Sequence, residues 1–362
     1  MKRHVQLLAV SLTALIAFTK PVLAGKADRT FDIYWVDSEG GGSTLMVTPA
    51  GESVLIDTGN PGARDPGRIV KVLKEEAGLS QIDHLIITHW HGDHFGGAAG
   101  IAKLVPVVNV YDKGLPEKNP DNRPSDALWR RVRKPYAEMK ITGKRTTVKA
   151  GSRIPLKQPG FKGAPLLEIR ILAANQKVVS PGRNQLQVNQ RDVPADNPID
   201  RSDNANSVVS LIKWGGFRFF DGGDVTWNVE KKLVYPHNVV GRVDIYQVSH
   251  HGLASSNNPL LVTSLEPTVS VMNNGQTKGA SEVSIGALRA TKSLEASYQI
   301  HENMREDSHN NVKDKNYIAN HGKLNAKCEA HFIKCQVAPD GKSYTIMVHS
   351  RGHSRTFDTT VK

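Results

Sequence analysis

The chain has 362 residues, 39% of them hydrophobic and 23% charged, which is the composition of an ordinary globular protein; a disordered or fibrous chain is excluded. Its formal net charge is +12, and because residues 1–24 carry three basic and no acidic side chains, the remainder keeps +9. Such a balance favours polyanionic partners and says nothing about fold.

Residues 1–24 have the pattern of a secretory signal: a basic start (Lys2, Arg3, His4), an apolar stretch from Val5 to Phe18, and the small-residue site Val22-Leu23-Ala24. The mature chain is expected to begin near Gly25 and to be periplasmic or secreted. The apolar stretch is shorter than the ~20 residues a membrane helix needs, so no stable membrane span is expected after cleavage.

From Phe31 the runs FDIYWV, STLMV and SVLID, separated by EGGG and TPAG, predict three strands. Residues 65–79 space Ile69, Val70, Val72, Leu73 and Leu79 at helical intervals, with Pro66 at the start and Gly78 near the end; a helix is expected, followed by the strand HLIIT. Residues 111–166 are rich in Lys, Arg, Pro and Gly and are expected to form an insertion with one helix, capped by Ser125 and bent at Pro135. Residues 180–206 predict a long polar loop bordering the site. SVVSLIKW and FRFFDGG flank Gly215-Gly216 as a hairpin, VDIYQV runs straight into His250-His251, and the tail from about residue 325 is a β extension. Cys328 and Cys335 are expected to bridge in an oxidising compartment, with a turn between them.

HWHGDHFGG, residues 89–97, places three histidines and an aspartate in six positions at the end of a strand. Imidazole and carboxylate are the ligands of borderline divalent metals, and two-residue spacing on an extended turn sends His89 and His91 to the same side. Asp93 and His94 can then face a second ion. More ligands are needed, and Asp57, Asp224 and His250-His251 each follow an apolar strand-like run and precede glycine closely.

This set resembles the metallo-β-lactamase fold superfamily of binuclear metallohydrolases. The HxHxDH element matches His89, His91, Asp93 and His94; the first-strand aspartate matches Asp57, the bridging aspartate Asp224, and the last histidine falls in His250-His251. The resemblance spans roughly residues 31–275 and implies an α/β fold, an αββα sandwich of two mixed sheets flanked by helices, with residues 25–362 as one domain. It also implies two divalent metal ions. The first takes His89, His91 and a shared Asp224; the second takes Asp93, His94, Asp224 and His251. Zinc is the default for such ligands in an exported protein, while manganese also fits the histidine-poor first position. The implied chemistry is attack by a metal-bridging hydroxide, with Asp57 orienting ligands and His250 protonating the leaving group or hydrogen-bonding an oxygen of the substrate.

The chain has no histidine from Phe95 to Gly223, where most members place another ligand; SDNANSVVSL stands there instead. Together with the HHG motif, this is similar to the ComEC-like competence-protein hydrolase branch and to phosphorylcholine esterases, which implies a phosphodiesterase or nuclease-like enzyme. Hydrolysis of a lactone, ester or amide by the same metals is the alternative, as is a non-catalytic envelope protein that binds polyanions. From Lys113 to Lys157 there are 13 basic and four acidic side chains, with Trp129 and Tyr136 among them. Nucleic acid would find charge and stacking surface there if both aromatics are exposed, and a plain basic face if they are in the core.

Overall fold

The computed structural model describes residues 25–122, 127–306, 310–322 and 328–360. The signal expected at 1–24 and the Ser125 cap lie outside them.

The first half supplies β1 (Phe31–Trp35), β2 (Thr44–Val47), β3 (Ser53–Ile56), β4 (Ile82–Ile86), β5 (Val107–Asp112) and β6 (Arg145–Thr147). The second supplies β7 (Leu167–Ala174), β8 (Lys177–Val178), β9 (Val209–Trp214), β10 (Phe217–Asp221), β11 (Ile245–Gln247), β12 (Val269–Met272), β13 (Ala296–His301) and β14 (Ile318–Asn320). The tail adds β15 (Ile333–Val337), β16 (Ser343–Val348) and β17 (His353–Asp358). They form two sheets, β17-β16-β15-β1-β2-β3-β4-β5-β6 and β14-β13-β12-β11-β10-β9-β7-β8. Both are mixed: β1 to β3 and β7, β9 and β10 pair antiparallel, whereas β3 to β6 and β10 to β14 run parallel.

Strand residues alternate between two cores. Ile33, Trp35, Val54 and Ile56 of the first sheet meet Ile169, Ile171, Phe217 and Phe219 of the second between the sheets. Their neighbours Tyr34 and Leu55 face outward onto α1 (Arg64–Lys71) and α3 (Ala98–Leu104) through Ile69 and Ile101. Phe220 and Tyr246 face α5 (Trp227–Val234), α6 (Pro259–Leu265) and α7 (Glu282–Ala290) on the other side. Burial on both faces is why these strands are almost continuously apolar. The layers are therefore helix, sheet, sheet, helix, as expected.

Several expectations are corrected. The helix expected over 65–79 is α1 followed by a π turn over Val72–Glu76, with Gly78 at φ +66° ending it. The basic segment belongs to the scaffold: β6 pairs with β5, and α4 (Ala127–Glu138), which runs through Pro135, buries Trp129, Val132 and Tyr136 in the outer core. Neither aromatic offers a base a stacking face. Arg130, Arg131 and Lys134 stay exposed, so the charge persists without the platform. Both cysteines are free. Cys335 points between the sheets beside Ile333 and Val337, while the Cys328 thiol donates to Asp37 Oδ2 at 3.1 Å, so the two side chains serve different neighbourhoods. Among the described residues no helix is long and apolar enough to cross a membrane.

Candidate metal centre

The site forms where strands of both sheets end. Asp57 follows β3, residues 88–94 follow β4, Asp224 follows β10, and His250-His251 follow β11. After β4 the chain stays extended, so alternate side chains diverge. Trp90 turns into the outer core against Phe95 and Tyr136, at ring separations of 5.2 and 5.3 Å, and the histidines on either side turn inward. The short helix α2 (Gly92–Phe95) then begins and brings His94 round beside His89, their rings 4.1 Å apart. Backbone strain marks the other contributors: Asp57, His250 and His251 all have positive φ, at 61°, 53° and 56°. Non-glycine residues held there cost about 1–3 kcal/mol each and persist only where the surroundings enforce them.

Asp224 is the hub. Its Oδ2 lies 3.1 Å from His94 Nε2, 3.4 Å from His251 Nε2, 3.5 Å from His250 Nε2 and 3.6 Å from His89 Nε2. Asp93 Oδ2 lies 3.4 Å from the Nε2 atoms of both His94 and His251. Two donor sets result, His89, His91 and Asp224, and Asp93, His94, Asp224 and His251; within each set the ligand atoms lie within 4.8 Å of one another. Together they make a candidate dinuclear site sharing Asp224.

Whether these residues fit cations is answered by what their other atoms do. His89 Nε2 is buried without a hydrogen-bond partner, although it faces Asp224, and its Nδ1 is held by Thr88 Oγ1 at 3.0 Å. Such an orphaned nitrogen aimed into a cluster of acids suits a metal ligand. The remaining imidazoles are held the same way, by the ring nitrogen that does not face the cluster. His94 Nδ1 sits 2.6 Å from Asp57 Oδ2, and His251 Nδ1 sits 2.9 Å from the Asn273 carbonyl. His91 Nε2 sits 2.9 Å from Asp121 Oδ2, leaving Nδ1 as its available donor. Asp57 also accepts from the Thr88 backbone N–H at 2.8 Å and its hydroxyl at 2.6 Å, so one carboxylate fixes two neighbouring imidazoles.

Charge is balanced tightly in this cluster. Burial works to raise the Asp224 and Asp93 carboxyls, but His94 above all outweighs it and holds both well below the carboxylate range. Burial pushes His89 well below the usual histidine value and brings His250 down to about 4, whereas burial of His94 is outweighed by Asp224, Asp93 and Asp57, which raise it well above that value, and burial of His91 is outweighed by Asp121, which raises it. Anionic carboxylates and neutral imidazoles are the forms that bind metal, so His94 and His91 would have to give up a proton when a cation binds.

Sequence reasoning missed several residues that complete the site. Asp121 accepts from the Asp203 backbone N–H at 2.8 Å; Asp203 in turn accepts from the Trp90 backbone N–H and from Lys113 Nζ, each at 2.7 Å. Asn204 Nδ2 sits 3.1 Å from His250 Nε2, while its Oδ1 is buried without a partner. Both Asp203 and Asn204 lie in SDNAN, where the absent histidine was expected. Lys278 Nζ pairs with Asp93 Oδ2 at 2.5 Å. No motif marked Asp121 or Lys278. His301, left outside the site, bonds Asp37 at 2.7 Å instead.

Beneath the His250 loop, Glu230 accepts the backbone N–H groups of Asn257 and Asn258 at 3.0 and 2.7 Å, and burial pushes its carboxyl up to about 7. The folded chain keeps this proton after the unfolded chain has released it near pH 4.5. The stability it contributes therefore falls as pH rises from about 4.5 to about 7, by ~3 kcal/mol in all, and is constant beyond. Urea unfolding across pH 5 to 8 is expected to show a shallower fall in Glu230→Gln than in the native chain, the remainder coming from Asp221, which burial also raises to about 7.

Residues 37–213 match the Metallo-beta-lactamase superfamily. The chain is 25% identical over 265 residues to Recombination protein 2 of Haemophilus influenzae, covering 72% of this chain and 26% of that protein. It is 36% identical over 80 residues to Ribonuclease Z of Alkaliphilus oremlandii, covering 20% of this chain and 23% of that protein. It is 34% identical over 83 residues to a metal-dependent hydrolase of Cupriavidus metallidurans, covering 22% of this chain and 25% of that protein. The chain thus spans about a quarter of the length of the curated relatives it matches. Two mixed sheets flanked by helices, with His and Asp donors gathered where their strands end, agree with this match: residues 37–213 are similar to the Metallo-beta-lactamase superfamily in sequence, and the architecture around them is the one that the resemblance implied.

Proposed function

We propose that this chain is an exported phosphodiesterase that uses two divalent cations, zinc by preference, held by His89, His91, Asp93, His94, Asp224 and His251. The observation that carries the reading is the convergence of four imidazole Nε2 atoms on Asp224 Oδ2, one of them orphaned in the interior. Bound there, divalent cations supply Lewis acidity, easing deprotonation of water near neutral pH and stabilising negative charge that builds on oxygen.

The chain's own residues do the rest. Asp57 and Asp121 orient His94 and His91. His250, brought down to about 4 by burial, is neutral at pH 7, which argues against its donating a proton to the leaving group. Its imidazole is steadied by Asn204 on one nitrogen and by Ser255 and Ser256, at 3.0 and 3.2 Å, on the other. A phosphodiester is favoured over a neutral ester by the cationic Lys278 beside Asp93 and by the exposed basic side chains of α4. That helix abuts the histidine loop: a Cβ on Gly92 would come within 2.9 Å of Leu128. The similarity to Recombination protein 2 over most of this chain supports the same choice. Export rests on the leader-like pattern of residues 1–24.

The test is a substrate panel on metal-reconstituted protein: bis-p-nitrophenyl phosphate, single-stranded DNA, phosphorylcholine, a lactone and nitrocefin. Turnover of a phosphodiester ahead of the others is expected. Preferential turnover of nitrocefin or the lactone would contradict the reading.

A further inference from the structure

We infer that Lys278 is the specificity-determining side chain of this site, holding a non-bridging oxygen of the substrate's phosphoryl group; the inference rests on the phosphodiesterase reading above. Among the cluster's side chains His89, His94, Asp224 and His251 are 0 to 3% exposed, whereas Asp93 and His91 are 21% and 20% exposed. Solvent, and therefore substrate, reaches the donors on the Asp93 and His91 side. Lys278 stands at that opening with its side chain 37% exposed.

Lys278 lies between β12 and α7 on a turn that closes on itself and is tied to the site at its end. The Gly275 N–H donates to the Lys278 carbonyl at 3.0 Å, and the Ala280 N–H donates to the carbonyl of His251 at 3.2 Å. Gly40, at φ +85°, lets the opposite loop close on it: a Cβ there would meet Gly275 N and the Lys278 side chain, each at 3.1 Å. That approach allows Nζ to donate to the Gly40 carbonyl at 2.7 Å. The ammonium is thus placed by backbone and does not depend on Asp93 alone.

Among the described residues Lys278 is the one lysine or arginine that pairs with a carboxylate of the two donor sets. The Asp93 oxygen it touches is the same oxygen that faces His94 and His251. A divalent cation held by that set would compete with the ammonium for this oxygen and repel it. Lys278 then keeps Gly40 as its anchor and has donors free for an anion at the opening. The same residue therefore weakens metal binding and strengthens anion binding, two opposed effects that a merely structural lysine does not produce.

The experiment uses the full-length chain, Lys278→Met and Lys278→Arg. Divalent-metal affinity is read by competition with a chelator, and inorganic phosphate affinity by calorimetry on the metal-loaded proteins. A charged hydrogen bond to a ligand is worth about 1.5–3 kcal/mol, or roughly tenfold or more in affinity. Lys278→Met is expected to bind metal at least about threefold more tightly and phosphate about tenfold more weakly, with KM for bis-p-nitrophenyl phosphate rising more than kcat falls. Lys278→Arg keeps phosphate affinity within about threefold of the native chain. Unchanged phosphate affinity in a folded, metal-replete Lys278→Met would overturn the inference, as would weakening of both ligands together. Because phosphate binding is read without turnover, failure of the native chain to cleave any phosphodiester would count against the phosphodiesterase reading and leave this measurement intact.

Discussion

Replacing Asp224 with asparagine is expected to abolish turnover and to leave the purified protein short of metal. The substitution keeps size and removes charge at the one atom that both donor sets share, with four imidazole nitrogens 3.1 to 3.6 Å away. An amide oxygen is a weaker ligand than a carboxylate, and neither donor set would keep the anion they share. The expected loss in kcat/KM is at least ~10³-fold, beyond the ~10–100-fold typical when only an outer partner of a ligand is removed. Elemental analysis and initial rates on the same preparation check it, with circular dichroism to show that the fold survives. Retention of both metals and of activity within about tenfold of the native chain would remove Asp224 from the hub.

Asp57→Asn is expected to give the next largest effect. Asp57 sits at φ +61°, a conformation asparagine tolerates better than most residues, so the substitution separates charge from backbone strain. What is lost is the carboxylate that holds His94 Nδ1 at 2.6 Å and the Thr88 hydroxyl at 2.6 Å, and through Thr88 the ring of His89. Both donor sets therefore loosen from one change. Metal affinity is expected to fall ~10–100-fold, read by chelator competition, with kcat/KM falling in parallel at limiting metal. Asp57→Ala should be worse by a further ~1–2 kcal/mol in stability, because alanine lacks the local hydrogen bonding that makes a left-handed conformation tolerable.

The parts of this account that the sequence displayed are those written in local pattern. The strands before Asp57, before His89 and before His250 are short apolar runs ended by glycine-rich turns, and the Gly215-Gly216 hairpin pairs Phe217 with Trp214. The donors His89, His91, Asp93 and His94 stand in one loop, where spacing alone suffices. That the two sheets stack came from the resemblance, since periodicity does not say which faces meet.

What stayed hidden depends on tertiary contact. Asp121 and Lys278 are single polar residues in separate loops, and nothing in their neighbourhoods distinguishes them from solvated surface; Asn204 lies in SDNAN, which drew notice only for the histidine it lacks. The basic segment misled through its composition: β6 is the polar tripeptide RTT at a sheet edge, so its charge masked a scaffold strand. Yet Trp129, Val132 and Tyr136 recur at the intervals of one helical face, which is the pattern of a packed helix. The cysteines carried a comparable clue. Cys335 alternates in phase with Ile333 and Val337, which marks it as a core side chain of a strand.

The central claim is that the folded chain grips two divalent cations through Asp224. Elemental analysis of native protein, loaded with zinc or manganese and passed through a desalting column, tests it most directly. Two ions per chain are expected, with fewer in Asp224→Asn. Native protein that retains no stoichiometric transition metal after loading would contradict the account.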